Sequence, residues 1–160
     1  MPIGVEVLRE ARPADVQPGE LHHVIGSGWQ VILPPLGPNS TKGALWLTGT
    51  NAGKFTSISN TYGLTLRAPY TWKAIVPDGL EHATSGNLAG AIQFDRFGPF
   101  ILGRHTASTE EMGFRLPGGA AVDEEWSSTH VPQFPVWSAH LVNGDAPDVL
   151  LGELFKVDLR

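Results

Sequence analysis

The stretch LHHVIGSGWQVIL, residues 21–33, indicates the fold class most directly. Two apolar runs of strand length flank Gly26-Ser27-Gly28, so the stretch predicts two short strands joined by a turn, or one strand with a bulge at the glycines. Elsewhere, no window of roughly 11 residues keeps apolar residues at i, i+3, i+4 and i+7 without an interrupting Gly or Pro. The sequence therefore predicts strands rather than helices.

Similar short runs recur between turn residues along the chain. They occupy residues 44–48, 58–67, 71–76, 88–97, 100–104, 131–142 and 149–159. Gly98-Pro99 predicts a tight turn between two of them, and residues 108–112 (STEEM) are the best helix candidate, about one turn long. About eight to ten strands at this spacing predict an all-β fold: an antiparallel β-sandwich, jelly roll or barrel with little helix.

The alternation of apolar and polar residues also predicts which side chains are buried. In the last run, the apolar residues at 149, 151, 155, 157 and 159 share one face of a strand. Applied to the whole chain, the pattern predicts largely buried side chains at Trp46, Ile58, Leu64, Ile92, Phe94, Leu151 and Phe155.

The first 20 residues differ from the rest, since they carry three prolines and four acids. They predict an N-terminal arm or an edge strand, and residues 21–160 predict a single β domain. Ile3, Val5, Val7 and Leu8 make the arm partly apolar, so either the chain's own sheet or a neighbouring molecule must cover them. We expect the neighbour, and these four are candidate interaction residues.

Composition argues against several classes of partner. The 160 residues include no cysteine, and 11 basic against 16 acidic residues give a net charge of −5. The basic residues are scattered singly, whereas a nucleic-acid groove or an anionic membrane surface needs them clustered. No apolar run approaches the roughly 20 residues of a membrane span. We therefore predict no nucleic-acid partner and no membrane partner.

Motifs for catalysis and metal binding are weak. The six histidines give no chelating pair by spacing, and no G-x-S-x-G pattern occurs. The acidic groups at 110–111 and 123–125 lie in predicted loops. We predict no catalytic residue, no metal site and no cofactor. A hydrolase whose histidines and carboxylates are brought together only by the fold is the second alternative function.

Two of the five tryptophans are candidates for a binding surface. Trp126 follows three acids, and Trp137 lies among prolines that mark an edge. If these rings are exposed, they can stack on sugars or anchor a protein interface. If they lie beneath a long loop, they are structural. The sequence favours neither alternative. A carbohydrate- or small-ligand-binding β module using Trp126, Trp137 or Tyr70 is thus the first alternative function.

In general character the chain resembles small β-rich accessory proteins of virus particles, such as phage capsid decoration proteins. Like them it is compact, free of cysteine, rich in strands and loops, mildly acidic and without a catalytic signature. The resemblance implies a non-enzymatic structural or interaction protein that associates with copies of itself and with a larger protein assembly, and a virion as its location. It covers character rather than alignment, so no residue role carries over.

The stretch TGTNAGKFTSIS, residues 48–59, is similar to the phosphate-binding pattern G-x-x-x-x-G-K-[ST]. Only three residues separate Gly49 from Gly53, and Phe55 stands where a Ser or Thr would hold Mg²⁺. The β-branched and hydroxyl residues that follow are poor helix formers, so no helix N-terminus faces a phosphate. We predict instead an antiparallel hairpin over residues 44–60 with its loop near residues 50–53.

Replacing Lys54 tests this interpretation. Lys54→Ala should change the free energy of unfolding by less than about 0.5 kcal/mol, as an ordinary surface substitution does. Titration calorimetry should detect no saturable Mg·ATP binding in either protein. Micromolar binding that disappears in Lys54→Ala would contradict the prediction.

Overall fold

The computed structural model describes residues 3–77, 88–122 and 133–160. These residues contain thirteen β-strands and two short 3₁₀ helices, Val5–Val7 and Pro13–Asp15. The strands are β1 Leu8–Ala11, β2 Leu21–Val24, β3 Gly28–Leu33, β4 Gly43–Trp46, β5 Lys54–Ser57, β6 Gly63–Leu66, β7 Tyr70–Ile75, β8 Ile92–Asp95, β9 Gly98–His105, β10 Glu111–Arg115, β11 Gln133–Phe134, β12 Val136–Asn143 and β13 Ala146–Asp158. The all-β prediction is confirmed.

The strands form two sheets. Sheet A has ten strands in the order β1-β6-β2-β3-β4-β5-β9-β8-β11, with β10 also paired to β9. One of its pairs, β5 with β9, is parallel, so sheet A is mixed rather than purely antiparallel. Sheet B has three antiparallel strands in the order β13-β12-β7. The two outer strands of sheet B, β13 and β7, are therefore both edge strands within the described residues.

Two hairpins predicted from glycine-containing turns are confirmed. Residues 21–33 form the antiparallel pair β2–β3, with Val24 opposite Gly28. Within residues 44–60, β4 pairs antiparallel with β5. The loop between them contains Gly49 and Gly53 with φ of 84° and 82°, a conformation that disfavours a residue with a β-carbon. The lysine next to Gly53 thus begins a strand rather than a helix.

Other local predictions are wrong. The β8–β9 hairpin turns at Arg96 and Phe97, because Gly98 pairs with Asp95 as part of β9. Residues 108–112 form no helix, since Glu111 begins β10 opposite Arg104. A single helical turn has too few hydrogen bonds to compete with a full strand ladder on β9.

The two sheets share one hydrophobic core. Leu45 and Phe55 of sheet A pack in the same buried cluster as Trp137 and Val157 of sheet B. The indole Nε1 of Trp137 donates a hydrogen bond to the carbonyl oxygen of Gly90 over 2.9 Å. Trp137 has no exposed surface, so it is a core residue and not the exposed ring that the sequence left open.

The burial predictions succeed only in part. Ile92 is fully buried as predicted, and four more of the seven side chains are half-buried: Trp46, Ile58, Leu64 and Phe155. Phe94 and Leu151 are 39% and 43% exposed, so both predictions are wrong. Phe94 contacts Phe134 edge to face, with ring centroids 5.6 Å apart, outside the shared core.

The N-terminal residues pack on the body of their own chain. β1 pairs with β6 at the edge of sheet A, and Val7 is buried with Leu66 and Leu141. Ile3 and Leu8 pack partly against the same cluster, whereas Val5 remains 83% exposed. Contrary to the expectation of a neighbouring molecule, the chain itself covers most of these side chains.

A buried histidine holds β1 in place. His22 of β2 has no exposed surface, and its Nε2 lies 2.9 Å from the carbonyl oxygen of Ala11 in β1. Its Nδ1 lies 3.0 Å from the side-chain nitrogen of Gln30. Both contacts are satisfied when the imidazole is neutral and protonated on Nε2. The imidazole passes Gly63 of the intervening strand β6, where a β-carbon would lie 2.8 Å from its Cε1.

Acid should weaken the fold through His22. Burial lowers the pKa of His22 from its usual 6.5; the hydrogen bond to Ala11 opposes part of this, and His23 adds a smaller lowering. The unfolded chain therefore binds a proton before the folded chain does, so stability falls as pH drops below about 6.5. Urea unfolding between about pH 7.5 and about 5.5 should show this loss, and it should be smaller in His22→Gln.

His22→Leu should lower stability at neutral pH by about 1–3 kcal/mol, because leucine has no group that can donate to the carbonyl of Ala11. His23→Leu, at the adjacent and partly exposed position, is the matched control that keeps this hydrogen bond. A wild-type protein whose stability is flat over this pH window would refute the role of His22.

Candidate interaction surface

Three adjacent apolar residues lie exposed on the edge strand β13. Val149, Leu150 and Leu151, here the VLL segment, are 56%, 45% and 43% exposed. In the described part of the chain, they are the only run of three consecutive exposed large apolar side chains. Other exposed apolar residues, such as Ile25 and Phe97, stand singly, which is ordinary for a protein surface.

Irregular pairing explains why the VLL segment is exposed. Leu150 lies opposite Val142, but the next pair is Ala146 with Asn143, so residues 147–149 are extra on β13. Leu151 is a further extra residue between the pairs of Leu150 and Gly152. Such bulges bend a strand and re-aim its side chains, so the alternation predicted for residues 149–159 fails here. Val149 and Leu151 consequently leave the core face.

A cleft lies beside the other edge strand of sheet B, β7. This β7 cleft has a volume of about 390 Å³. Its lining is mostly apolar and comes from both sheets: Thr71, Trp72, Lys73, Ala74, Pro99, Leu116, Pro117, Val142 and Pro147. Binding sites for small molecules or side chains are commonly concave and apolar in this way.

Two polar groups of the cleft lining are held by the segment before β2. The hydroxyl of Thr71 donates to a carboxylate oxygen of Glu20 over 2.8 Å, and the indole of Trp72 donates to the carbonyl of Gly19 over 2.7 Å. Burial raises the pKa of Glu20, and the hydrogen bond from Thr71 partly opposes the rise. These contacts fix the wall of the cleft and leave its lining with mainly apolar surface.

The charged group of the cleft lining is the ammonium of Lys73. Its Nζ lies 3.6 Å from a carboxylate oxygen of Asp148, next to the VLL segment. The two side chains are 46% and 97% exposed, so water screens this pair and it contributes little to stability. Lys73 can therefore exchange Asp148 for another carboxylate with little loss of free energy.

An ion pair lies next in sequence to two residues of the cleft lining. Arg115 donates to both carboxylate oxygens of Asp95 over 2.8 Å each, and also to the carbonyl of Gly98 over 2.9 Å. The guanidinium lowers the pKa of Asp95 to about 2. Arg115 thereby ties β10 to the β8–β9 turn, next to the cleft residues Pro99 and Leu116.

The candidate interaction residues predicted from the sequence do not form the surface just described. Val7 and Trp137 are buried, Ile3 and Leu8 are partly buried, and Val5 is exposed; Trp126 lies outside the described residues. Tyr70 packs partly against the cluster of Val7, Leu66 and Leu141. The VLL segment was missed, although Pro147 and Gly152 on either side of it are residues that mark bulges within a strand.

The described residues contain no group of three or more His, Asp or Glu side chains placed to hold a metal ion. His82 and His130 lie outside these residues. No helix in the described ranges is long and apolar enough to cross a membrane.

No protein-family model matches the chain, and we find no significant similarity to a curated protein or to a solved structure. Its function is therefore inferred from its own geometry.

Proposed function

We propose that this protein is a non-enzymatic interaction protein that associates with copies of itself as part of a larger assembly such as a virus particle. The observation that carries the proposal is the exposed VLL segment on β13, which is an edge strand of sheet B among the described residues. Adjacent exposed aliphatic side chains favour burial against another protein, because removing them from water is favourable.

The bulges of β13 favour contact through side chains rather than through a shared strand ladder. A regular exposed edge pairs with further copies without limit, and bulges are one device by which proteins prevent this. β13 departs from regular pairing at three places along its contact with β12. The edge is thus suited to a closed assembly of few copies, in which packing of Val149, Leu150 and Leu151 supplies the contact.

The shared core supports the β-sandwich among the predicted architectures. Sheet B covers sheet A through Trp137, Ala139 and Val157, which is the layering of a sandwich. In this arrangement the edges of the small sheet B lie at the surface of the molecule, where a second copy can reach them.

The VLL segment alone supports only weak association. Fully burying a Val or Leu side chain contributes about 1.5–3 kcal/mol, so a half-exposed one has on the order of 1 kcal/mol left to gain. Six such side chains in a dimer supply about 6 kcal/mol, against about 4–15 kcal/mol for the lost freedom of two molecules. Further contacts must accompany this segment in a stable assembly.

Charged substitutions in the VLL segment should weaken self-association. Wild-type protein should form oligomers in sedimentation velocity runs at micromolar to millimolar concentration. In Val149→Lys/Leu151→Lys the dissociation constant should rise at least about tenfold, a loss of roughly 1.4 kcal/mol, because the new ammonium groups resist burial. Thermal unfolding should change little, since both side chains are exposed in the monomer.

Ile25→Lys is the matched control, because Ile25 is a single apolar residue, 80% exposed, on the β2–β3 turn. It should leave association unchanged. A wild-type protein that stays monomeric at millimolar concentration would refute the proposal, as would equal association in the VLL variant.

A further inference from the structure

The β7 cleft and the VLL segment lie next to each other on the molecule. Pro147, which lines the cleft, precedes Val149 by two residues. Lys73, also in the lining, reaches Asp148 at 3.6 Å. An apolar concavity and an apolar projection thus adjoin on one face, with one basic and one acidic residue between them.

We propose that the β7 cleft receives the VLL segment of a second copy, and that the two copies do this reciprocally around a two-fold axis. This inference rests on the self-association proposed above and names its contact. In a two-fold interface each patch that binds is also bound. A cleft and its complementary segment that adjoin on one face can both face the axis, whereas sites on opposite sides would produce an open chain of copies.

The size of the cleft suits aliphatic side chains. A cavity of roughly 150 Å³ lined by apolar residues is enough to hold benzene, and the β7 cleft has about 390 Å³. It therefore has room for at least two side chains of the VLL segment. Because Thr71 and Trp72 already direct their polar hydrogens to Glu20 and Gly19, the incoming side chains meet mainly apolar surface.

The charges beside the two surfaces favour a second copy as the occupant. The VLL segment is bordered by Asp148 and, beyond Gly152, by Glu153, and the charged group of the cleft lining is Lys73. When the segment enters the cleft of another copy, its Asp148 approaches the Lys73 of that copy. The two copies together then exchange their two exposed pairs within chains for two pairs between chains. No charge is buried without a partner.

A charge-swap experiment tests the reciprocal contact. Lys73→Glu and Asp148→Lys should each raise the dissociation constant of the homodimer about tenfold, because each opposes like charges across the interface. An equimolar mixture of the two variants should associate nearly as tightly as wild type, since both contacts of the mixed dimer join opposite charges. The double variant Lys73→Glu/Asp148→Lys should associate with itself for the same reason.

Lys156→Glu provides the control for charge reversal, because Lys156 is an exposed lysine on the same sheet but outside the cleft lining. It should associate like wild type. All these positions are exposed, so unchanged thermal unfolding of each variant is expected and should be verified before association is measured.

The outcomes distinguish the reciprocal contact from the more general proposal of self-association. A wild-type protein that never associates overturns both. If association depends on the VLL segment but the mixture of Lys73→Glu and Asp148→Lys binds no more tightly than either variant alone, only the reciprocal contact is overturned. Binding of the apolar acid decanoate by the wild-type protein, lost in Lys73→Glu and accompanied by no rescue in the mixture, would make the cleft a small-ligand site and also overturn it.

Discussion

The burial of Trp137 between the two sheets is the contact on which the rest of the structure depends. Its ring lies in the shared core near Trp72 and Phe155, at centroid distances of 6.4 and 6.0 Å, and its indole nitrogen donates to Gly90 before β8. A buried indole needs such a partner, since an unsatisfied donor costs about 1–3 kcal/mol. This side chain thereby anchors the central strand β12 in the shared core, and β13 and β7 are paired to β12.

Features set by neighbouring residues could be predicted from the sequence, and features set by distant pairing could not. Gly26 and Gly28, like Gly49 and Gly53, mark hairpin turns because glycine tolerates positive φ where other residues are strained. No local pattern places β5 beside β9, about 50 residues away in sequence. The same distinction explains the failed helix at 108–112, which lost to pairing with β9.

The candidate surface was missed for a related reason. Perfect alternation assigns Val149 and Leu151 to the face of Val157, and that assignment holds only while the strand has no extra residues. The bulges of β13 break the count, so Val157 is buried whereas Leu151 is exposed. The role of His22 was hidden too, because its partner Ala11 belongs to β1, and β6 lies between β1 and β2 in sheet A.

The proposed self-association places different physical requirements on the two sheets. Sheet A carries ten strands and most of the buried side chains, and its edge strand β1 is fastened by the buried hydrogen bond of His22. Among the described residues sheet B has three strands, so a single central strand pairs with both edge strands. One of these edges projects Val149, Leu150 and Leu151, and the other borders an apolar cleft. A small sheet anchored by one buried tryptophan can therefore expose an apolar segment and an adjoining apolar cleft without uncovering the core that stabilises the chain.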